Sequence, residues 1–208
     1  MNFQSILLGG VTGYVLGSIP FAYIITKRAS GLDVRQHGSG NVGTTNAYEV
    51  TGKKSVRGMV FASDCLKGLI PVLVFAMMGW TESLLVLIPA LILGHCYPIW
   101  LKFHGGRGLA TMTGVIVPIN PPMLVLWCIV FLITKKIRNQ VHIAAITATL
   151  ITIAAILLLP SQTIELTTLP FSGLVDFPTQ LATSVLLALL LILTRHIEPL
   201  MRLMRAKS

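Results

Sequence analysis

The stretch Gly38-Ser39-Gly40-Asn41-Val42-Gly43-Thr44-Thr45-Asn46 has the composition that a phosphate oxygen selects. Gly38, Gly40 and Gly43 let a backbone turn through positive φ and present successive N–H groups. Ser39, Asn41, Thr45 and Asn46 add side-chain donors without bulk. Gly, Ser and Asn are also ordinary turn residues, but a loop this long and polar in a compact chain argues for binding. A second glycine-rich turn, His104-Gly105-Gly106-Arg107-Gly108, runs directly into an apolar segment. There a helix N-terminus would aim free N–H groups and its positive dipole end at one spot, and the Arg107 fork can grip two phosphate oxygens. The alternative is a tight interfacial turn with one orienting arginine.

Asp64 and Lys67 stand three residues apart and so share a helix face. Ionisable groups inside a bilayer cost roughly 2.5–3.5 kcal/mol each on insertion scales, so the two are expected to face the bundle interior. Lys67 either lends positive charge to a bound anion or serves a structural ion pair. Of the five histidines, His196 is the site candidate, because it follows Arg195 at the end of the last apolar run. His37 abuts the first loop, and His95 lies in Gly94-His95-Cys96-Tyr97-Pro98. The chain has no HExxH, no HxxxxD box and no readable Ser–His–Asp order.

The elements that must position these groups are membrane helices. Of 208 residues, 54% are hydrophobic and only 11% charged, against about 25% charged in soluble domains. Uncharged apolar runs reach or approach the ~20 residues that cross a bilayer. The expected fold is all-α and polytopic, one integral-membrane domain over 1–208, with helices near 4–26, 57–79, 83–101, 108–118, 122–134, 141–159 and 180–195. The fourth and fifth are too short to cross alone, with Asn120-Pro121-Pro122 between them. Charge settles the topology. Seven passes place Lys27, Arg28, Arg35, Lys53, Lys54, Arg57, Lys102, Arg107, Lys135, Lys136, Arg138, Arg195, Arg202, Arg205 and Lys207 on one side. The other side (the N-terminus, 79–83, 118–122 and 160–179) has no Lys or Arg. The positive-inside rule then puts the N-terminus outside and the C-terminus in the cytoplasm.

That asymmetry also explains the net charge of +9 without a nucleic-acid partner. Gly9, Gly13 and Gly17 form a small-residue stripe suited to close helix packing. Cys65, Cys96 and Cys128 sit apart in apolar runs, with neither metal-ligand spacing nor a disulfide framework, and are expected to be buried structural thiols. Two glycine cradles and basic groups on one membrane face imply a substrate with a phosphate head and a lipid tail.

At this point the sequence resembles the bacterial acyl-phosphate:glycerol-3-phosphate acyltransferase (PlsY) family over nearly its whole length. The resemblance rests on Tyr14–Ile24, the Gly38–Asn46 loop, Asp64-Cys65-Leu66-Lys67-Gly68, Gly94–Pro98 with Phe103–Thr111, and Arg195-His196. It implies a seven-helix, cofactor-free enzyme of the bacterial inner membrane. Such an enzyme transfers a fatty acyl group from acyl phosphate to the 1-hydroxyl of glycerol 3-phosphate, giving lysophosphatidic acid for phospholipid biosynthesis. By the same resemblance Ser39 hydrogen-bonds near the reacting centre; Asn41, Thr45 and Asn46 hold phosphate; Arg107 stands where the family has Lys; and His196 orients the acceptor. Gly38, Gly40, Gly43, Lys67, Gly105, Gly106, Gly108 and Arg195 complete the expected substrate-binding set. A monomer is expected, with membrane lipids around it. Glu49 stands where the family carries Arg, and Pro199 where it carries Asn. The alternatives are a divergent paralogue with another phosphorylated acceptor, a non-catalytic lipid-binding role, and, less favoured, a small transporter.

Overall fold

The computed structural model describes residues 3–160, 162, 163 and 178–205. Residues 161 and 164–177 of the expected outer loop lie outside the described residues, as does Lys207. The described residues form helices and no strand: α1 (Phe3–Gly17), α2 (Phe21–Ser30), α3 (Thr44–Thr51), α4 (Lys54–Met77), α5 (Thr81–Cys96), α6 (Leu109–Ile116), α7 (Pro121–Arg138), α8 (Val141–Leu158) and α9 (Pro178–Arg205). Among the described residues, five segments are long and apolar enough to cross a membrane: Phe3–Ser30, Lys54–Met77, Thr81–Leu101, Val141–Leu158 and Leu181–Met201.

Several boundaries differ from the sequence expectation. The expected first helix over 4–26 breaks at Ser18-Ile19-Pro20 into α1 and α2. Proline has no N–H to continue the ladder and disfavours helical geometry in the residue before it. The Ile19 carbonyl left behind accepts a hydrogen bond from Lys67 Nζ at 2.9 Å. The expected helix over 83–101 stops at Cys96, and after Pro98 continues only as one 3₁₀ turn, Ile99–Leu101. The fourth apolar run is short as expected: the eight residues of α6 rise about 12 Å. The fifth is longer than expected. Asn120 caps α7 by accepting from Met123 N at 3.0 Å, and two prolines follow at its first positions. The helix then runs on through Lys135, Lys136 and Arg138, cations that suit a helix C-terminus, for 18 residues, or about 27 Å. An eight-residue helix, α3, occupies the end of what reads as a loop.

The core comprises buried faces of α4, α5, α6 and α9 around Leu84, Leu87, Ile88, Leu91 and Ile92. In lipid, apolar burial does little to drive helix association, so close backbone approach matters more. α1 packs chiefly on α5 through its glycine stripe. A Cβ on Gly9, Gly13 or Gly17 would strike the carbonyl oxygen of Ser83, Leu87 or Leu91, respectively, and one on Gly94 would strike that of Tyr14. α4 meets α6 in the same way, with Gly68 against the Thr111 carbonyl and Gly114 against that of Cys65. Of the three cysteines, only Cys96 is buried; Cys65 is half-buried and Cys128 exposed on α7. The expectation of buried thiols fails for Cys128 because an apolar residue on a membrane helix can face lipid as readily as core.

Candidate functional site

Contacts gather the loop after α2, the turn before α6, the start of α8 and the last turns of α9 at one end of the bundle. Val42 and Gly106 bring the two glycine segments together so closely that a Cβ on Gly106 would lie 2.6 Å from the Val42 carbonyl oxygen. Arg195 donates from Nε to the Gly106 carbonyl (3.2 Å) and from Nη2 to that of Gly105 (3.1 Å), and its guanidinium sits 5.1 Å from the Tyr97 ring. The His142 and His196 rings are 5.9 Å apart, and Arg107 lies within electrostatic reach of both.

The first loop is shaped by Asn46, which is 1% exposed. Its Nδ2 donates to the carbonyls of Val34 (2.8 Å), Asn41 (3.0 Å) and His37 (3.1 Å), and its Oδ1 accepts from Ser39 N at 2.9 Å. The amide of Asn46 is thus committed to the backbone around it. Gly38 (φ 60°) and Gly40 (φ 69°) take the left-handed conformation this wrapping requires. A Cβ on Gly38 would strike Asn46 Oδ1 and approach Glu49 Oε2 to 3.4 Å. The loop's entry is braced by Asp33, whose carboxylate accepts from Arg35 N (2.9 Å), Nε (3.0 Å) and Nη2 (2.6 Å). These bonds pull the Asp33 carboxyl down to a pKa of about 2. The hydroxyl-bearing Ser39 and Thr45 are exposed, and Asn41 half-exposed. Gly43 starts α3 from extended backbone with no side-chain cap, so the first-turn N–H groups there are left to an outside acceptor. A helix start of this kind favours an anion.

The second glycine turn is built differently from the sequence expectation. Lys102 (φ 51°) and Phe103 (φ 63°) turn the chain back through left-handed geometry, and the next residues run beneath the end of α5. The Gly105 amide donates to the Cys96 carbonyl (3.2 Å) and that of Gly106 to the His95 carbonyl (3.1 Å). Neither N–H is free for phosphate. Both glycines are required by close approach, since a Cβ on Gly105 would meet His95 O and one on Gly106 would meet His95 Nε2. Gly108 (φ 85°) starts α6 without a side-chain cap, beside Ile92 and Ile192. Arg195 likewise spends two of its donors on these glycine carbonyls and so ties α9 to the turn.

Beneath the turn runs a buried polar chain. Lys67 Nζ pairs with Asp64 Oδ1 at 2.9 Å, His95 Nδ1 lies 3.7 Å from the same oxygen, and Thr111 Oγ1 lies 3.1 Å from His95 Nδ1. Lys67 is therefore part of a structural ion pair, with its remaining contacts on Ile19 O and, at 5.7 Å, the Phe21 ring. His95 and Thr111 were not singled out as site residues from sequence. The motif containing His95 was visible, but its partners lie 16 and 31 positions away in the chain.

His196 is buried, and its Nδ1 lies 2.8 Å from the Ile192 carbonyl. A carbonyl only accepts, so Nδ1 carries the proton and Nε2 of the neutral ring keeps a lone pair. Ile192 also lines an apolar groove, partly open to its surroundings, between α6, α7, α8 and α9. It reaches from Leu109 and Ile192 down to Asn120, Met123 and Leu181. Its few polar side chains are turned onto backbone: Thr113 to Leu109 O, Thr152 to Ala148 O, and Asn120 to Met123 N. The groove was not anticipated, because in sequence its lining is indistinguishable from lipid-facing surface.

A family model described as glycerol-3-phosphate acyltransferase matches residues 7–206. Proteins named glycerol-3-phosphate acyltransferase are similar to this chain. One from Anaplasma phagocytophilum (strain HZ) is 40% identical over 169 residues, covering 79% of this chain and 84% of its own. One from Gluconobacter oxydans (strain 621H) is 34% identical over 211 residues, covering 100% and 94%. Two solved structures also match: the glycerol 3-phosphate form of PlsY (YgiH), an integral membrane glycerol 3-phosphate acyltransferase, at 32% identity and TM-score 0.79, and its lysophosphatidic acid form at 30% and 0.78. Each match covers 98% of this chain and 94% of that one.

Proposed function

From the premise that the chain belongs to the glycerol-3-phosphate acyltransferase family, we propose that it takes its acyl group from acyl phosphate and works as a monomer. In this reading the chain makes seven passes and its site faces the cytoplasm of a bacterial inner membrane. The observation that carries the proposal is the apolar groove whose upper wall, at Leu109 and Ile192, adjoins the start of α6 and the His196 ring. A fatty chain lowered into it leaves its activated carboxyl beside the two glycine segments, where phosphate-binding groups and a histidine lone pair meet.

Acyl phosphate is a mixed anhydride, so the protein must position and neutralise more than it must activate. The 1-hydroxyl of glycerol 3-phosphate attacks the acyl carbonyl carbon, the new C–O ester bond forms, and the C–O bond to phosphate breaks. Phosphate leaves with the bonding pair and takes up the hydroxyl proton. His196 Nε2 accepts a hydrogen bond from that hydroxyl and orients it. Arg107 faces the negative charge of the phosphates. Asn41, Thr45 and the first-turn amides of α3 hold a phosphate, and Ser39 hydrogen-bonds at the reacting centre. Lys67, Asn46, Gly105, Gly106 and Arg195 act indirectly in this scheme, by fixing the shape of the two segments.

The test is formation of lysophosphatidic acid by purified protein from palmitoyl phosphate and glycerol 3-phosphate, beside Ser39→Ala. The variant is expected to fold normally and to lose about a hundredfold in rate, as when one donor to a developing charge is removed. A full rate in Ser39→Ala removes that residue from the mechanism. Absence of product from well-folded wild-type protein would favour a second reading, another phosphorylated acceptor or lipid binding without turnover, which Glu49 beside Gly38 supports by placing an anion at the loop.

A further inference from the structure

A second histidine stands at the site besides His196, and one of its ring nitrogens lacks a partner. His142 lies on the first turn of α8, with its ring 5.9 Å from that of His196 and Arg107 within electrostatic reach of both. The residue is half-buried, yet its Nδ1 is enclosed and makes no hydrogen bond. Buried polar atoms are nearly always paired, and one left alone costs free energy that packing does not return.

The neighbouring side chains do not supply the missing acceptor. His196 Nδ1 lies 2.8 Å from the Ile192 carbonyl, which leaves its Nε2 lone pair for the hydroxyl it orients. Arg107 only donates, so it cannot receive an N–H from His142. A phosphoryl oxygen suits both a guanidinium and an imidazole N–H, because it is anionic and accepts several hydrogen bonds at once. Glu49, beside Gly38, sets an anion on the first loop and so favours phosphate on the Arg107 side. We infer that His142 is a further substrate-binding residue, its Nδ1–H donating to a phosphoryl oxygen that Arg107 also faces. The χ2 torsion of histidine is broad, so the ring can turn this nitrogen toward the incoming oxygen. A partner that only accepts then selects the tautomer protonated there. The inference rests on the reading of this end of the bundle as the phosphate site.

Loss of one hydrogen bond to a charged group corresponds to about tenfold to hundredfold in affinity. His142→Leu, which cannot donate, should raise KM by that factor with little change in kcat. His142→Asn, whose Nδ2 can donate from nearly the same place, should recover most of it. The two substrates tell whose phosphate is held: a rise in KM for glycerol 3-phosphate assigns the acceptor, and a rise for palmitoyl phosphate assigns the donor. Unchanged KM for both, or a loss that His142→Asn does not recover, overturns the inference while leaving the acyl-transfer reading intact.

A second readout needs no turnover and separates binding from packing. Inorganic phosphate that binds the folded protein raises Tm by mass action, so His142→Leu should need about tenfold more of it to reach the wild-type rise. Without phosphate the variant should melt at or above the wild-type temperature, because it removes an unpaired buried nitrogen. That pattern sustains the phosphate contact even if acyl phosphate proves not to be the donor. Equal phosphate-induced rises in the two proteins, with a lower Tm for phosphate-free His142→Leu, would make the ring a packing residue and refute the inference.

Discussion

Replacing Asn46 with Ala separates a residue that touches substrate from one that shapes the loop. Its side chain makes four hydrogen bonds, from Ser39 N and to the carbonyls of Val34, His37 and Asn41. At about 1 kcal/mol net for each, their sum is about 4 kcal/mol. The neighbouring loop residues Gln36, His37, Gly38 and Ser39 are exposed, so water replaces part of the loss, leaving ~2–3 kcal/mol. At 1.36 kcal/mol per tenfold, opening of residues 34–41 should become about 30- to 150-fold more frequent. Hydrogen–deuterium exchange of the detergent-solubilised protein measures this directly, and the Ser39 amide, whose partner is Asn46 Oδ1, should show the full acceleration. KM for glycerol 3-phosphate should rise with it, while exchange in α5 and α9 stays unchanged. A raised KM with unchanged exchange in the loop would refute the reasoning, because it would place the Asn46 amide on the substrate.

Glu49→Arg should lower KM for glycerol 3-phosphate roughly threefold to tenfold, the worth of two exposed charge interactions. The gain should vanish near 1 M salt, where screening acts within about 3 Å; no change at low salt would place Glu49 away from the phosphate. Asp33 should titrate near pH 2 in a carboxyl carbon NMR experiment assigned with Asp33→Asn, a midpoint near 4 contradicting its brace to Arg35. Its folded pKa of about 2 lies below the ~3.9 of a free aspartate, so its contribution to loop order is present above about pH 4 and is lost as pH falls through 2. Activity between pH 5 and 8 should therefore carry no signature of Asp33.

The sequence made the helical class legible because membrane spans need only length and low charge. It made the gathering of chemistry at one end legible because Lys and Arg mark one side. The second glycine turn shows where local reading fails. Glycines before a helix look like free donors, yet the amides of Gly105 and Gly106 are claimed by carbonyls of Cys96 and His95. The use of Lys67 was equally hidden: Asp64 was in view three residues away, but the Ile19 carbonyl that it also binds is exposed by a helix break 48 residues earlier. Asn46 read as a phosphate donor for the same reason, since its partners depend on how the loop wraps. The apolar groove between α6, α7, α8 and α9 was the least legible feature, because facing lipid and lining a groove ask the same thing of a side chain.

The stripe of Gly9, Gly13 and Gly17 against α5 has a consequence for biogenesis. Among the described residues α1 packs chiefly on α5, and α5 begins only at Thr81. While the ribosome adds the intervening residues, at about 5–20 per second, the first span waits in the bilayer for some seconds without its partner. During that interval its glycines offer a ready contact to any small-faced helix nearby. A substitution that fills the stripe thus acts before the enzyme exists, by lengthening the time its first span spends unclaimed and open to membrane proteases.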